Sequence, residues 1–424
     1  MDWRIVASFR EISTLQYMGS KARIVTQVTN AIKSLSPRRV IDLFAGTGSV
    51  GFSLKQSLEV ISNDLELYAY IINEAILNGC HFTKDDYKVF SDTVNKQYSI
   101  LKSRFSNLIH EEESYFNSDI PDWKEYKRFC EETPAVGYET HLPKYHTLNQ
   151  LIEALKSGEQ LPFNCLFSIY YANTYFGLSQ CCEIDAIYTG IQFLEDIRCK
   201  NVMKAALMSA MSDNASTTTH FAQYLKVNSQ RSCTSLITKR RRSIRLAFEQ
   251  KITEFKELGL LSCKTPNSVC LNMDYLEALD ALDKKSGTVV YADPPYFKEH
   301  YSRYYHVLNT LCLYDYPDVA LNPQTNAPSA GRYRQERTAS DFGKLKQALP
   351  AFEKLISKCH EKGFDLVISY SSNSIVSIEN IVDAMEQYYS VSTSEVSLKH
   401  SNQGRALRGA EKVNEYILSG KCRG

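Results

Sequence analysis

Apolar residues fall into two rhythms along this chain. Over residues 24–32 they recur at helical spacing until Ser36-Pro37 ends the run, and over 40–44 they are almost continuous, as in a buried strand. A glycine turn and a helix are expected next. After the short apolar run 60–64 a second helix is predicted, with Leu67, Ile71, Ile72, Ala75 and Ile76 on one side and Asn78-Gly79 as its stop. From about residue 80 to 266 the alternation lapses into charged helices, many tyrosines and a turn-rich stretch at 117–123. It returns over 268–273, 288–292 and 364–370, and closes at Tyr416-Ile417-Leu418. The pattern predicts an α/β protein: a doubly wound, Rossmann-like sheet built from residues 1–79 and 266–424, with a large, mostly helical insert at 80–265.

With 424 residues the chain has room for two or three domains, each with its own core. Its 43% hydrophobic and 23% charged content is ordinary for a soluble globular protein. A net charge of +1 excludes a polycation that coats nucleic acid indiscriminately, so an electrostatic partner has to be met by a local patch. The first twenty residues carry charges throughout and do not read as a signal peptide, and no transmembrane run is found; a cytoplasmic location is expected. Apart from Cys181-Cys182 the 12 cysteines are scattered singly and form no C-x-x-C pair, which predicts reduced thiols and no metal site.

Two motifs carry chemistry. Gly46-Thr47-Gly48-Ser49-Val50-Gly51 follows a buried strand, and the acid Asp64 ends the next apolar run. That layout positions an adenosine ribose without naming the cofactor, and NAD remains open on the glycine pattern alone. The second motif is Asp293-Pro294-Pro295-Tyr296, directly after the apolar run 288–292. Two prolines at the end of a buried strand cannot continue a ladder, so they fix a rigid loop where such sheets place ligands. The Asp293 carboxylate and the Pro294 carbonyl can accept the two hydrogens of a nucleobase amine, and Tyr296 offers a ring for stacking.

With these residues in place the chain resembles the Dam-like adenine-N6 DNA methyltransferases. The D-P-P-Y loop, the F-A-G-T-G loop over residues 44–48 and the stretch Tyr17-Met18-Gly19-Ser20-Lys21 occur in that family's order, with a target-recognition domain between the glycine and D-P-P-Y loops. The resemblance covers roughly residues 10–79 and 266–420. It implies a methyltransferase sheet, S-adenosylmethionine as cofactor, and double-stranded DNA as substrate, its target adenine flipped from the stack. It also implies cofactor contacts from Tyr17, Lys21, Asp42, Phe44, Gly46, Gly48, Asp64, Asp274 and Asp293, and catalytic roles for Asp293, Pro294 and Tyr296. Asp42 has a second reading, as an acceptor for backbone amides at its strand end. A monomer is expected, with a dimer open, and a separately encoded restriction endonuclease is an admissible partner. The same chemistry on RNA or on a protein glutamine is the rival reading, beside a silent DNA-binding regulator of the same fold.

The insert offers two candidate DNA contacts. Lys239, Arg240, Arg241 and Arg242 form a basic run that reads either as a solvated helix face or as a set of phosphate contacts. Asn173 and Gln180 lie in an aromatic stretch over 170–180 whose amides read base edges, unless the stretch packs the insert's own core. His306 invites a general-base role; an amine held by Asp293 and Pro294 sheds its proton after transfer, so a pocket wall or core position is expected instead.

Overall fold

The computed structural model describes residues 24–218, 220–295, 301–338, 340–399 and 412–423. Helix α1 (Val25–Ser34) buries Val25, Val28 and Ile32 and ends before Ser36, whose φ of 54° breaks the helix ahead of Pro37. Strand β1 (Arg39–Asp42) follows, then α2 (Ser49–Leu54), β2 (Glu59–Asn63) and α3 (Leu67–Asn78). The helical layer comprises α4 (Lys84–Arg104), α5 (Ser106–Phe116), α6 (Trp123–Glu132), α7 (His146–Lys156), α8 (Leu166–Tyr170), α9 (Leu178–Gln192), α10 (Ile197–Asn214), α11 (Gln230–Arg240) and α12 (Ile244–Glu257). The sheet resumes with β3 (Val269–Leu271), α13 (Tyr275–Ala281) and β4 (Thr288–Ala292). Then come α14 (Tyr301–Tyr304), α15 (His306–Leu313), α16 (Ala348–Glu361), β5 (Asp365–Ser371), α17 (Ile378–Glu386), β6 (Tyr389–Lys399) and β7 (Lys412–Cys422).

Strand order is β3-β2-β1-β4-β5-β7-β6. The first five strands are parallel, with Val40 opposite Val60 and Val289, and Val290 opposite Leu366. Strand β7 enters antiparallel between β5 and β6, pairing Ile368 with Leu418 on one side and Leu418 with Thr393 on the other. The sequence located β7 and not β6, an edge strand whose Val391 and Val396 fall on opposite faces among Ser, Thr and Glu, so neither face carries an apolar stripe.

Alternating strand side chains feed two cores. Val40, Val60, Val289 and Val367 pack towards α1, α2 and α3, while Ile41, Ile61, Val290, Leu366 and Ile368 pack towards α13, α16 and α17. The first core does not stop at the sheet's own helices: it runs on through Leu101, Phe167, Ile187 and Met208 of the helical layer and Leu308 and Leu311 of α15. Residues 80–265 are inserted in chain order, yet among the described residues many of their buried apolar side chains belong to the same cluster as those of the sheet, and a small cluster around Tyr126, Phe129 and Leu236 stands apart. Among the described residues no helix is long and apolar enough to cross a membrane.

Candidate active site

The chain runs from β1 outward through β2 to β3 and then returns to β4 on the other side of β1. A reversal of this kind opens a crevice at the carboxyl ends of the two central strands. Asp42 ends β1 beside Tyr291 of β4, and Asp293 follows two residues later. Asp42 is 1% exposed, and its Oδ1 has no hydrogen-bond partner among the described residues. Burial, then the charges of Asp293 and Asp64, push its carboxyl up to about 8 against the pull of a Gly51 backbone hydrogen bond. Asp64 is pushed up to about 7, again first by burial, although its two oxygens accept N–H bonds from Gly46 at 2.8 Å and Glu66 at 2.9 Å. Three carboxylates thus share one crevice, an arrangement that suits a cationic ligand.

The glycine loop is held from below. Ala45 N–H donates to Asn63 O at 3.0 Å, and Gly48 N–H to Ala45 O at 2.8 Å. Asn73, on the buried side of α3, donates from Nδ2 to Gly46 O at 2.9 Å while its Oδ1 accepts from Ser62 Oγ at 2.7 Å. Gly48 has φ 75°, and a Cβ there would stand 2.6 Å from Asn73 Oδ1 and 2.6 Å from Ile76 Cδ1. The second glycine is thus required by the backbone turn and by the approach of α3. Asn73 was missed in the sequence; the available signal was a lone amide on an otherwise apolar helix face.

Further along the crevice, Asp274 caps α13 by accepting Leu276 N–H at 2.9 Å. Phe44 meets Tyr275 at 5.7 Å and Phe342 at 5.4 Å between ring centroids, and Tyr275 meets Phe342 at 5.1 Å. Asp293 is half-buried and Pro294 buried. Tyr17, Lys21 and Tyr296 lie outside the described residues. Glu66, also unforeseen, is buried where Asn309 Nδ2 at 2.5 Å and Thr338 Oγ1 donate to it, which ties the start of α3 to segments that follow the D-P-P loop in the chain. His306 is core: burial pushes its imidazole down to about 3, and its ring lies edge-on to Tyr171, Tyr175 and Tyr333.

The candidate DNA contacts need correction. Arg240 is 2% exposed and donates to Asn173 O and Thr174 O, each at 2.9 Å, and to Tyr126 Oη at 3.2 Å. Asn173 is buried with φ 55° and donates to Thr133 Oγ1 at 2.9 Å. Gln180 is buried and donates to the carbonyls of Lys239 and Arg242 at 3.1 and 2.9 Å, so α9 fixes the end of α11. Lys239 is half-buried, its Nζ donating to Thr217 O at 2.9 Å and Ala215 O at 3.3 Å. These four side chains are spent on internal acceptors; Arg241 and Arg242 are exposed.

A five-strand parallel core closed by an antiparallel β7, with a glycine loop after β1 and a D-P-P loop after β4, defines the Rossmann-like methyltransferases. The sequence model of the D12 class N6 adenine-specific DNA methyltransferases matches residues 17–160 and 201–326, and the chain belongs to this family. It is similar to the modification methylase LlaI of Lactococcus lactis subsp. lactis, 24% identical over 417 residues, and to the type II methyltransferase M.FokI of Planomicrobium okeanokoites, 22% identical over 430 residues. Each match covers 95% of this chain, which spans about half the length of those relatives, 54% and 52%. The type II methyltransferase M.NlaIII of Neisseria lactamica is 23% identical over 388 residues, 88% of either chain.

Proposed function

We propose that this chain is a site-specific DNA methyltransferase that moves the methyl group of S-adenosylmethionine to N6 of an adenine flipped out of duplex DNA, as the modification enzyme of a restriction-modification system. The grouping of Asp42, Asp64 and Asp293 at the β1/β4 crevice carries the reading. Asp42, buried beside the charges of Asp293 and Asp64, favours a ligand bearing a sulfonium and an ammonium over a dinucleotide pyrophosphate. The cofactor supplies an electrophilic methyl carbon.

The chain's own residues do the rest. Asp64 retains lone pairs for the ribose hydroxyls, Gly46 and Gly48 shape the loop at the amino-acid end, and Phe44 and Asp274 border the adenine side with Tyr275. Tyr17 and Lys21 complete the cofactor site by family resemblance. Asp293 and the Pro294 carbonyl accept the two N6 hydrogens, which draws the lone pair out of conjugation and aims it, while Tyr296 stacks on the base. Flipping is needed because N6 cannot be attacked in line inside the stack. Arg241 and Arg242 contact the DNA backbone from the helical layer, and a separately encoded endonuclease is the partner.

The test is direct. Purified chain is incubated with tritiated S-adenosylmethionine and, in parallel, with mixed double-stranded DNA, RNA or a glutamine-containing peptide, and the nucleic acids are digested to nucleosides. Label in N6-methyldeoxyadenosine is expected; label only in RNA, only in a glutamine peptide, or in none of them overturns the reading.

A further inference from the structure

Between α15 and α16 the chain forms a two-stranded ribbon. Val319 stands antiparallel to Arg334 and Leu321 to Pro328. Backbone N–H bonds run from Gln335 to Asp318 O at 2.9 Å, from Ala320 to Tyr333 O at 2.7 Å and from Asn322 to Ala327 O at 2.7 Å. The returning strand carries a loop at residues 330–332 that anchors it to the helical layer: Tyr175 Oη donates to Gly331 O at 2.9 Å, and Arg332 donates to Tyr170 O. Tyr138 donates to Pro328 O, Tyr170 Oη to Pro317 O at 3.0 Å, and Arg334 pairs with Asp315 at 2.7 and 2.6 Å. The root is also tied to the acidic crevice. Asn309 before it and Thr338 after it both donate to Glu66, whose N–H donates to Asp64 at 2.9 Å.

The far end of the ribbon has no such ties. Residues 321–327 are exposed, and the hydrogen bonds described there stay within the end itself: Asn322 Oδ1 accepts Gln324 N–H at 2.9 Å, and Asn326 N–H donates to Asn322 O at 2.9 Å. The side-chain amides of Gln324 and Asn326 are left to solvent among the described residues. Leu321 keeps 52% of its surface exposed. From Val319 to Ala330 no residue is charged, so this end lacks the lysine or arginine that a phosphate grip requires. Amides beside an apolar side chain are instead the groups that meet base edges. Asn or Gln pairs with N6 and N7 of adenine, and an apolar side chain meets the thymine methyl.

A flipped adenine has left the stack, so the sequence around it has to be read from the neighbouring base pairs. We infer that the ribbon of residues 318–335 enters the DNA major groove next to the target adenine, where Gln324 and Asn326 read base edges. Two strands fit a groove about 12 Å wide, and the rise of about 13 Å from Asp318 to Asn322 exceeds its depth of about 8.5 Å. Pro323 and the left-handed Asn326, at φ 52°, hold the turn in one shape, so little freedom is lost on docking. The inference rests on the DNA-methyltransferase reading above, and it places part of target recognition outside residues 80–265, on a ribbon that the helical layer holds.

Gln324→Ala, Asn326→Ala and a chain whose residues 322–327 are replaced by a two-residue Asn-Gly turn test it, because the altered side chains are exposed and the short turn keeps the root of the ribbon. Single-turnover methylation is measured on duplex DNA carrying the wild-type enzyme's mapped site, and on a set of duplexes in which each base pair of that site is changed in turn. Affinity for DNA against salt and affinity for S-adenosylmethionine alone are the controls. Each alanine variant should methylate the mapped site on the order of 5- to 150-fold more slowly, the range for losing a bidentate base contact. Discrimination should relax at one base pair and stay at the others. The log-log salt slope and the cofactor affinity should remain those of the wild type, since reading groups are not phosphate contacts. The Asn-Gly chain should lose discrimination at both pairs together. Wild-type rates and wild-type discrimination in all three variants overturn the proposal, as does an equal loss on every duplex accompanied by a flatter salt slope or weaker cofactor binding. If the wild-type arm methylates no DNA, the functional reading fails and takes the proposal with it, an outcome distinguishable from the others.

Discussion

The carboxylate of Asp64 accepts the backbone N–H of Gly46 at 2.8 Å. The acid that ends β2 and the loop that leaves β1 are therefore one unit, and any ligand reaching the loop meets the acid's charge. Without a cation there, the folded chain keeps protons on Asp42 and Asp64 that the unfolded chain has already lost. Their values of about 8 and about 7 stand above the ordinary 3.8.

The sign of the pH dependence follows. Between about pH 4 and pH 8 the native state binds more protons than the unfolded state, so stability of the ligand-free chain should fall as pH rises through that window. A cation binding among the acids should release those protons. Calorimetry should show S-adenosylmethionine affinity rising from pH 6 towards 7.5, with an enthalpy that varies with buffer ionisation; a pH-independent affinity would remove Asp42 and Asp64 from the cofactor site.

Asp293→Ala should abolish methyl transfer while the melting curve stays near wild type, because the half-buried carboxylate is expected to act on the substrate amine. Turnover above a few per cent of wild type would show that the carboxylate is not the amine's acceptor.

Arg240→Met should behave as a core variant. It strips donors from Asn173 O, Thr174 O and Tyr126 Oη, and breaking a buried charged network costs about 3–5 kcal/mol. Urea denaturation should reveal that loss, whereas Arg241→Gln and Arg242→Gln should leave stability within about 0.5 kcal/mol. Equal effects from all three would contradict the internal role of Arg240.

Gly48→Ala places a methyl 2.6 Å from Asn73 Oδ1 at a φ of 75°. A loss of about 1–3 kcal/mol is expected from the conformation alone. Asn73→Ala, which frees the Gly46 carbonyl instead, should weaken cofactor binding more than it lowers the melting temperature. The two variants are compared by thermal melts with and without S-adenosylmethionine.

The strand-and-glycine framework was legible because the central parallel strands β1, β4 and β5 are buried on both faces and read as short, largely apolar runs. Asp64 and Asp293 were marked by their places at the ends of such runs, whereas Asp42 lies inside the run 40–44, where the sequence left it open between a cofactor contact and an acceptor for backbone amides. What escaped was written in tertiary contacts. Asn173, Gln180 and Arg240 look like reading and gripping groups in one dimension, and only folding reveals that they bond to one another's neighbourhood through Thr133 and the carbonyls of residues 173, 174, 239 and 242. Strand β6 escaped for the opposite reason: its partner β7 supplies the pairing, and its own side chains carry little apolar signal.

One consequence concerns the redesign of target choice. Where recognition segments are self-contained modules, they can be exchanged between relatives like tools on a shaft. Here Phe167, Ile187 and Met208 share a packed interior with Val40 and Val60 of the sheet. A graft cut at residues 80 and 265 would sever that interior, so on the proposal that the helical layer reads the target, specificity is to be altered by changing exposed side chains one at a time on the native scaffold.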